Sequence, residues 1–310
     1  MQVRAMSTVS YANLSGVVPV DKSAGMTSHD VVAMVRRAFR PDKIKAGHAG
    51  TLDPDATGLL LVCLGSATRL ADLLSDRGKA YRASFVLGAA TSTEDSSGTV
   101  TLECDASSIR KEDVLRAFGT LTGTIQQVPP MVSALHHEGQ RLYDLARQGL
   151  QVERAARPVT IERIDLIRFT PGARATGEFE VTCGKGVYVR TLCADLGTGL
   201  GVGGHMSSLR RLRIGVFTLD GALPSSELMP AAILGRLVSS SEAVSFLPVR
   251  RISDFERSEI HFGRAIPAAD ISELPADGEW IRVVDERDEL VALALLDRDT
   301  GRLNPKKVLS

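Results

Sequence analysis

No two cysteines of this chain form a C-x-x-C pair. The four present, Cys63, Cys104, Cys183 and Cys193, are scattered, so the sequence suggests neither a disulfide framework nor a zinc site. Cys63 and Cys183 lie in apolar or alternating runs and read as small core residues. The six histidines show no metal-ligand spacing, and His136-His137 is an adjacent pair expected on a loop. No apolar run reaches membrane length and no signal peptide is seen, which points to a cytoplasmic chain with no membrane partner. Neither sign of charge is in excess: 37 Lys+Arg face 37 Asp+Glu. Nucleic-acid binders are often basic, so this balance weighs against one, although distribution counts for more than the sum.

What is present is a chain of 310 residues, 44% hydrophobic, enough for one large domain or a large and a small one. Its charges are clustered. Arg36, Arg37, Arg40, Lys43 and Lys45 fall within ten residues that hold one acid, Asp42. Arg210, Arg211 and Arg213 form a second basic cluster, while Glu94, Asp95, Glu103 and Asp105 gather acids elsewhere. Each charge taken singly reads as part of a solvated face.

Residues 1–15 lack periodicity and read as a loose extension. Val17–Val20 reads as a short strand leading into the turn Asp21-Lys-Ser-Ala-Gly25. Thr27-x-x-Asp30 is a capping-box start, followed by the helical stripe Val31, Met34, Val35 and Phe39, which Pro41 ends. Ser66 is placed to cap a helix carrying Leu70, Leu73 and Leu74. Residues 78–88 read as a strand holding Tyr81, whose apolar body and polar tip suit a half-buried core place. Residues 91–105 are turn-rich, and Lys111–Phe118 reads as a short helix. The prolines 129 and 130 argue against helix or central strand in the segment after Gly123. Arg141 to Gly149 reads as a short helix stopped by its glycine. Val159–Phe169 and Gly177–Cys183 alternate as strands do. Tyr188 and Arg190, two apart, share one side if the strand continues through them. Residues 221–245 suggest a helix and linker, and from 246 onward short strands alternate with turns.

One stretch organises the rest: Gly47-His-Ala-Gly-Thr-Leu-Asp-Pro-Asp-Ala-Thr-Gly-Leu-Leu-Leu-Val62. Gly47, Gly50 and Gly58 permit tight or left-handed backbone. Pro54 fixes its own φ and drives Asp53 toward an extended conformation. Leu59–Val62 suits a buried strand. Asp53 therefore sits on a stiff turn just before the core, a place where a carboxylate can be held rigidly. Read locally, Asp before Pro is an ordinary turn residue.

The whole run Gly-His-Ala-Gly-Thr-Leu-Asp-Pro-x-Ala-x-Gly-Leu-Leu resembles the signature of the TruB family of pseudouridine synthases. The segment Asp21-Lys-x-x-Gly-x-Thr-Ser28, Tyr81 in its Lys-x-Tyr context, the Pro-rich Ser-Ala segment with its following Gly-x-x-Leu-Tyr-x-x-Ala-Arg-x-Gly element, and Gly186-Val-Tyr-Val-Arg190 extend the likeness over about residues 16–215. Val132 and His136 depart from it, where an aromatic and a Lys are expected.

The resemblance implies an α+β fold: a catalytic domain on a mixed, largely antiparallel sheet at 16–245, with an RNA-binding insertion near 124–152. A small C-terminal β-barrel of PUA type is expected at 246–310. It implies isomerisation of a uridine in the T-loop of tRNA, with the T-arm as partner, and a monomer. Asp53 would be the catalytic carboxylate, Tyr81 would lie against the base, and Arg190 would pair with Asp53. His48 would fill the gap left by the flipped base, Leu209 would line the base pocket, and Tyr188, on Arg190's side, would also bind the substrate. Lys45, Arg210 and Arg211 would track phosphates.

The chemistry is compatible with those residues. The bond from C1′ to N1 breaks and a bond from C1′ to C5 forms, with no redox change, so neither cofactor nor metal is implied. One ionised carboxylate serves such a reaction, and a nearby guanidinium keeps it ionised where burial would protonate it. The target base must leave its stack, which RNA loops favour. Two other readings stand beside this one: a non-enzymatic RNA-binding protein, and a carbohydrate hydrolase using Asp53.

Overall fold

The computed structural model describes residues 10–131, 136–137, 140–141, 150, 152–268, 276 and 278–309. The expected extension at 1–15 lies mostly outside these residues, as does the helix expected over 141–149, except Arg141, which lies in a short strand.

In chain order the first elements are β1 (Gly16–Lys22), α1 (Ser28–Ala38), β2 (Ala46–Ala49), β3 (Thr57–Leu64) and α2 (Ala71–Ser75). Then come β4 (Lys79–Leu87), β5 (Ala89–Thr91), β6 (Val100–Glu103), α3 (Lys111–Thr120), β7 (Gly123–Gln127), β8 (His136–His137) and β9 (Gln140–Arg141). The long strands β10 (Arg157–Thr170) and β11 (Thr176–Cys183) precede α4 (Val189–Gly199) and β12 (Gly204–Ile214). The chain continues through β13 (Phe217–Thr218), β14 (Leu223–Pro224), α5 (Pro230–Gly235) and α6 (Ser240–Ala243). It ends with β15 (Val249–Arg251), α7 (Asp254–His261), β16 (Ile266–Pro267), β17 (Trp280–Val284), β18 (Leu290–Asp297) and β19 (Arg302–Val308).

The chain divides into two compact units. The first comprises Met1–Asp53, Leu60–Ser75 and Val216–Ser310, and the second comprises Pro54–Leu59 and Asp76–Gly215.

In the first unit the expected capping box is present. The Thr27 hydroxyl accepts from the Asp30 N–H at 3.1 Å, and the Asp30 carboxylate accepts from the Thr27 N–H at 2.8 Å. The Thr27 hydroxyl also donates to the Asp30 carboxylate at 2.7 Å, and this bond, with that from the Thr27 N–H, holds the Asp30 carboxyl below its ordinary range. Val31, Val35 and Phe39 of the expected stripe are buried with Val32, whereas Met34 is half-buried. They pack on Val18 and Val20 of β1 and on Leu60, Val62 and Leu64 of β3. The apolar run after Gly58 is a buried strand, as its composition requires. β2 pairs antiparallel with β3, and β14 runs parallel to β1. Ser66 does not cap a helix. The turn there is a 3-10 segment that begins at Gly65, so Ser66 falls inside its first turn and its hydroxyl lies 2.8 Å from that of Ser15. Toward the C-terminus, strands β15-β17-β18-β19-β16 form a five-stranded sheet. Its core holds Ile252, Ile260, Ile281, Val283, Val291 and Leu303, with α7 against it.

In the second unit β12, β4, β11, β10 and β7 lie side by side, all antiparallel. The start of β3 pairs parallel with β12, Thr57 opposite Arg210 and Gly58 opposite Arg211. The sheet is therefore mixed and largely antiparallel, as expected. Helix α4 packs on β12 and β4, and α3 packs on α4 and β10. Phe85, Phe118 and Phe179 meet at ring separations of 5.2–6.2 Å, the aromatic centre of this core. β7 is the last strand in the order and ends two residues before Pro129, where no ladder partner is lost.

Three expectations change here. The turn-rich stretch 91–105 holds the turn and second strand of the hairpin β5–β6, whose first strand begins at Ala89. His136-His137 pairs with Gln140-Arg141 as two short strands. Strand β11 ends at Cys183, and the turn through Gly186, at φ +82°, separates it from Tyr188 and Arg190. Those two residues therefore lie at a helix start rather than on a strand, and period-two reasoning does not apply to them. Among the described residues no helix is long and apolar enough to cross a membrane.

Candidate functional site

The signature stretch contributes to the first unit through β2 and the loop that follows. His48 is on β2, opposite Val62 in the register with β3, and is half-buried. Lys45, just before β2, is exposed, and its carbonyl accepts from the Gly65 N–H at 2.8 Å. Arg36, from the same basic cluster, donates to the Ala46 carbonyl, so part of that cluster buttresses β2. Asp53 is half-buried on the loop, and Asp55 is exposed. The residue before Asp53 is pinned. Leu52 is buried, its N–H donates to the Ser28 hydroxyl at 2.9 Å, and that hydroxyl donates to the Leu52 carbonyl at 3.1 Å. One serine at the start of α1 thus satisfies both backbone groups of Leu52 and fixes the chain where Asp53 begins. Lys22, fully buried, donates to the carbonyls of Ser23 and Met26 at 3.0 and 2.7 Å and closes the turn before α1.

In the second unit β4 and β12 carry the other candidates. Tyr81 stands opposite Arg211 on β12 and Val181 on β11, and Leu209 stands opposite Ala83. Tyr81, Ala83, Leu209 and Arg211 therefore share one face of the sheet. Tyr81 is 7% exposed and Leu209 is half-buried. Arg210 projects to the opposite face, where it is registered beside Arg82, which pairs with Glu180 at 2.7 Å. Arg211 is 1% exposed, and its Nε donates to the Leu59 carbonyl at 2.7 Å. The second basic cluster is not one phosphate-tracking patch. Strand alternation sends Arg210 outward and Arg211 into the core, where it ties β12 to β3. Gly58 makes that approach possible. It adopts φ +99°, and a Cβ there would fall 2.7 Å from the Arg211 nitrogen and nearer still to its carbonyl oxygen.

Arg190 lies in the first turn of α4 and is 4% exposed. A buried cation at a helix N-terminus is opposed both by desolvation and by the helix dipole. The helix has no acid of its own in that turn. The loop after β5 supplies the compensation. The Arg190 guanidinium lies 3.5 Å from the Asp95 carboxylate and donates to the Thr93 carbonyl at 3.3 Å. The next residue, Thr191, donates its hydroxyl to Glu94 at 2.6 Å. Burial raises the Glu94 carboxyl, with Thr191 and Arg190 pulling it back down. Asp195, one turn on, is raised to about 6 by burial and by Glu94. The Asp95 carboxylate also accepts from the Thr93 hydroxyl and the Ser97 N–H, so the acidic loop is internally braced.

Sequence reading grouped Glu94 and Asp95 only as acids gathered elsewhere. The available signal was an arginine in an apolar stretch that needs anionic partners. Sequence reading also missed Gln127, which is 1% exposed and bonds the backbone of Tyr188. Cys63 and Cys183 are buried as expected, and burial pushes both thiols up to about 12, out of the nucleophilic range. Lys79, beside Tyr81 on β4, is lowered to about 8 by burial and by Arg211.

Comparison with known structures gives the class. A chain of a Cbf5-Nop10-Gar1 complex superposes with a TM-score of 0.71 at 26% identity, covering 95% of this chain and 85% of that one. A chain of an archaeal box H/ACA sRNP Nop10-Cbf5 complex gives a TM-score of 0.71 at 24% identity over 97% and 88%, a likeness of fold. The fold is that of the pseudouridine synthases, with a mixed catalytic sheet and a small C-terminal sheet of PUA-like kind. A model described as TruB family pseudouridylate synthase (N terminal domain) matches residues 36–189, and one described as tRNA pseudouridylate synthase B C-terminal domain matches residues 190–241. The protein named tRNA pseudouridine synthase B from Saccharophagus degradans is 40% identical over 304 residues, 96% of each chain. The protein of the same name from Symbiobacterium thermophilum is 47% identical over 254 residues, 82% of this chain and 84% of the relative. The chain belongs to the TruB family of pseudouridylate synthases, which are isomerases.

Proposed function

We propose that this chain converts a uridine in the T-loop of tRNA to pseudouridine, with Asp53 as the catalytic carboxylate. The observation that carries the reading is the anchored signature loop. Ser28 holds both backbone groups of Leu52, and half-buried Asp53 follows directly. The substrate is the one in the names of the relatives that match along most of the chain.

In this reading Asp53 attends the cleavage of the C1′–N1 bond. The uracil then rejoins through C5, which loses its proton as N1 regains one. Tyr81 presents its ring to the base, Leu209 lines the base pocket, and Arg190 keeps Asp53 ionised and oriented. His48 takes the place of the everted base, Tyr188 contributes to substrate binding, and Lys45, exposed just before β2, meets phosphates. Arg210 serves as a surface phosphate contact, whereas the burial of Arg211 suits a role within the fold. Residues 16–245 form the catalytic domain, with an RNA-binding insertion near 124–152, and 246–310 form a PUA-like RNA-binding domain. The enzyme acts as a cytoplasmic monomer on the T-arm, with no cofactor.

The test is purified chain incubated with tRNA carrying 5-tritiated uridine, followed by mapping of the modified position. Tritium release from the T-loop uridine is expected, lost in Asp53→Asn while RNA affinity stays within a few-fold. Binding without release would identify an RNA-binding protein. Sugar cleavage without action on RNA would identify a hydrolase.

A further inference from the structure

We propose that Gln127 is a positioning residue of the catalytic centre, holding the Tyr188 peptide so that the first turn of α4 presents Arg190 in one orientation. The inference rests on the role of Arg190 proposed above.

Gln127 is the last residue of β7 and is 1% exposed. Its Oε1 accepts from the Tyr188 N–H at 2.8 Å, and its Nε2 donates to the Tyr188 carbonyl at 3.2 Å. The primary amide thus reads both groups of one residue across 61 positions of chain. Tyr188 is the N-cap of α4, and its own side chain makes no capping bond. An N-cap commonly closes the helix start with a short polar side chain. Here a distant glutamine grips the cap residue instead. The Tyr188 carbonyl also accepts the first helical bond, from the Leu192 N–H at 3.0 Å, so Gln127 acts on the hinge from which the helix grows.

Arg190 lies two residues further on. Its ion pair with Asp95 is long, at 3.5 Å, and its bond to the Thr93 carbonyl is 3.3 Å. Contacts of that length weaken with a small rotation of the turn. The side chain of Arg190 is held by the acidic loop, and the Tyr188 peptide two residues before it is held by Gln127. Removing the second hold leaves Arg190 in the protein but no longer in one place. The amide must be neutral as well as two-handed. A glutamate at 127 keeps the acceptor and loses the donor, and its lone pairs face the Tyr188 carbonyl until it binds a proton. Burial favours that proton.

Single-turnover isomerisation of tritiated tRNA is measured for wild type, Gln127→Met and Gln127→Glu, with tRNA affinity and melting temperature measured beside it. For Gln127→Met the rate of the chemical step falls by roughly ten- to a hundredfold, the scale of a slight misplacement. Its tRNA affinity stays within about twofold, since uniform binding is untouched. For Gln127→Glu the rate relative to wild type recovers as pH falls from about 8 to about 5.5, where the protonated side chain donates as the amide does. If Gln127→Met does not fold, Gln127→Glu carries the test through its pH profile. The proposal is overturned if wild type is active and both variants match its rate at every pH. It is also overturned if the loss appears only in affinity. A wild type that releases no tritium overturns the proposed function itself.

Discussion

The Arg190 guanidinium and the Asp95 carboxylate lie 3.5 Å apart, with the arginine almost wholly buried and the aspartate at the lip of a braced loop. The pair answers an electrostatic difficulty set by the helix, because a cation in the first turn of α4 opposes the dipole. The two oxygens of Asp95 divide the work: Oδ2 faces Arg190, and Oδ1 accepts from Thr93 and Ser97.

Replacing Asp95 should therefore separate charge from shape. Asp95→Asn retains an acceptor for the loop and removes the charge, and about 2 kcal/mol of stability should be lost with a marked fall in turnover. Asp95→Ala loses the loop bonds as well and should be worse on both counts. Urea denaturation followed by circular dichroism reads the first effect, and tritium release reads the second. An Asp95→Asn protein as stable as wild type would show that the pair contributes nothing to the fold.

Gly58 has no room for a side chain against its neighbour. With φ at +99° and the Arg211 backbone against it, Gly58→Ala must force β3 and β12 apart. A loss of at least about 3 kcal/mol is expected, from strain and overpacking together. Arg211→Met should also destabilise, by about 1–3 kcal/mol, because the buried Leu59 carbonyl loses its donor. Thermal melts of the two variants test this directly. A melting temperature within a degree of wild type for Gly58→Ala would contradict the geometry.

Ser28 holds Leu52 from both sides, and Ser28→Ala leaves two buried backbone groups without that hydroxyl. About 1–3 kcal/mol should be lost. Because Asp53 follows Leu52, turnover should fall with RNA affinity nearly unchanged. Kinetics at saturating tRNA distinguish that outcome from a plain loss of folded protein, which active-site titration corrects.

Asp195 gives a pH dependence with a definite sign. Burial and Glu94 raise it from 3.8 to about 6 in the folded protein. Between about pH 4 and 6 the folded state holds a proton that the unfolded chain has released, so stability rises as pH falls through that window. Above pH 6 the folded state carries the unfavourable charge. Asp195→Asn should flatten this slope and stabilise the protein at pH 7 by about 1 kcal/mol, a figure reduced for the group's partial exposure. Melting temperatures from pH 4 to 8 for both proteins provide the check. Parallel curves would remove Asp195 as the source.

Much of the fold could be read locally. The capping box at Thr27, the stripe Val31-Val35-Phe39 and the apolar run after Gly58 depend on residues a few positions apart, and periodicity and steric limits reveal them. The likeness of residues 47–62 to a family signature likewise lies within one short segment. Less legible were the hairpin β5–β6 and short β2, because brief strands among polar residues leave too little alternation to detect. That Asp95 meets Arg190 was not legible, since a need for negative charge does not single out that residue.

By its own sequence the chain determined its α+β character, its TruB family and a stiff turn carrying Asp53, because propensity, φ restriction and motif are all local properties. Only the tertiary structure decided that Arg210 and Arg211 face opposite ways, that Arg190 meets Asp95, and that Gln127 and Ser28 each grip a distant backbone. Those outcomes follow from strand register and from the saturation of buried polar groups, and both are settled only when remote segments are brought side by side.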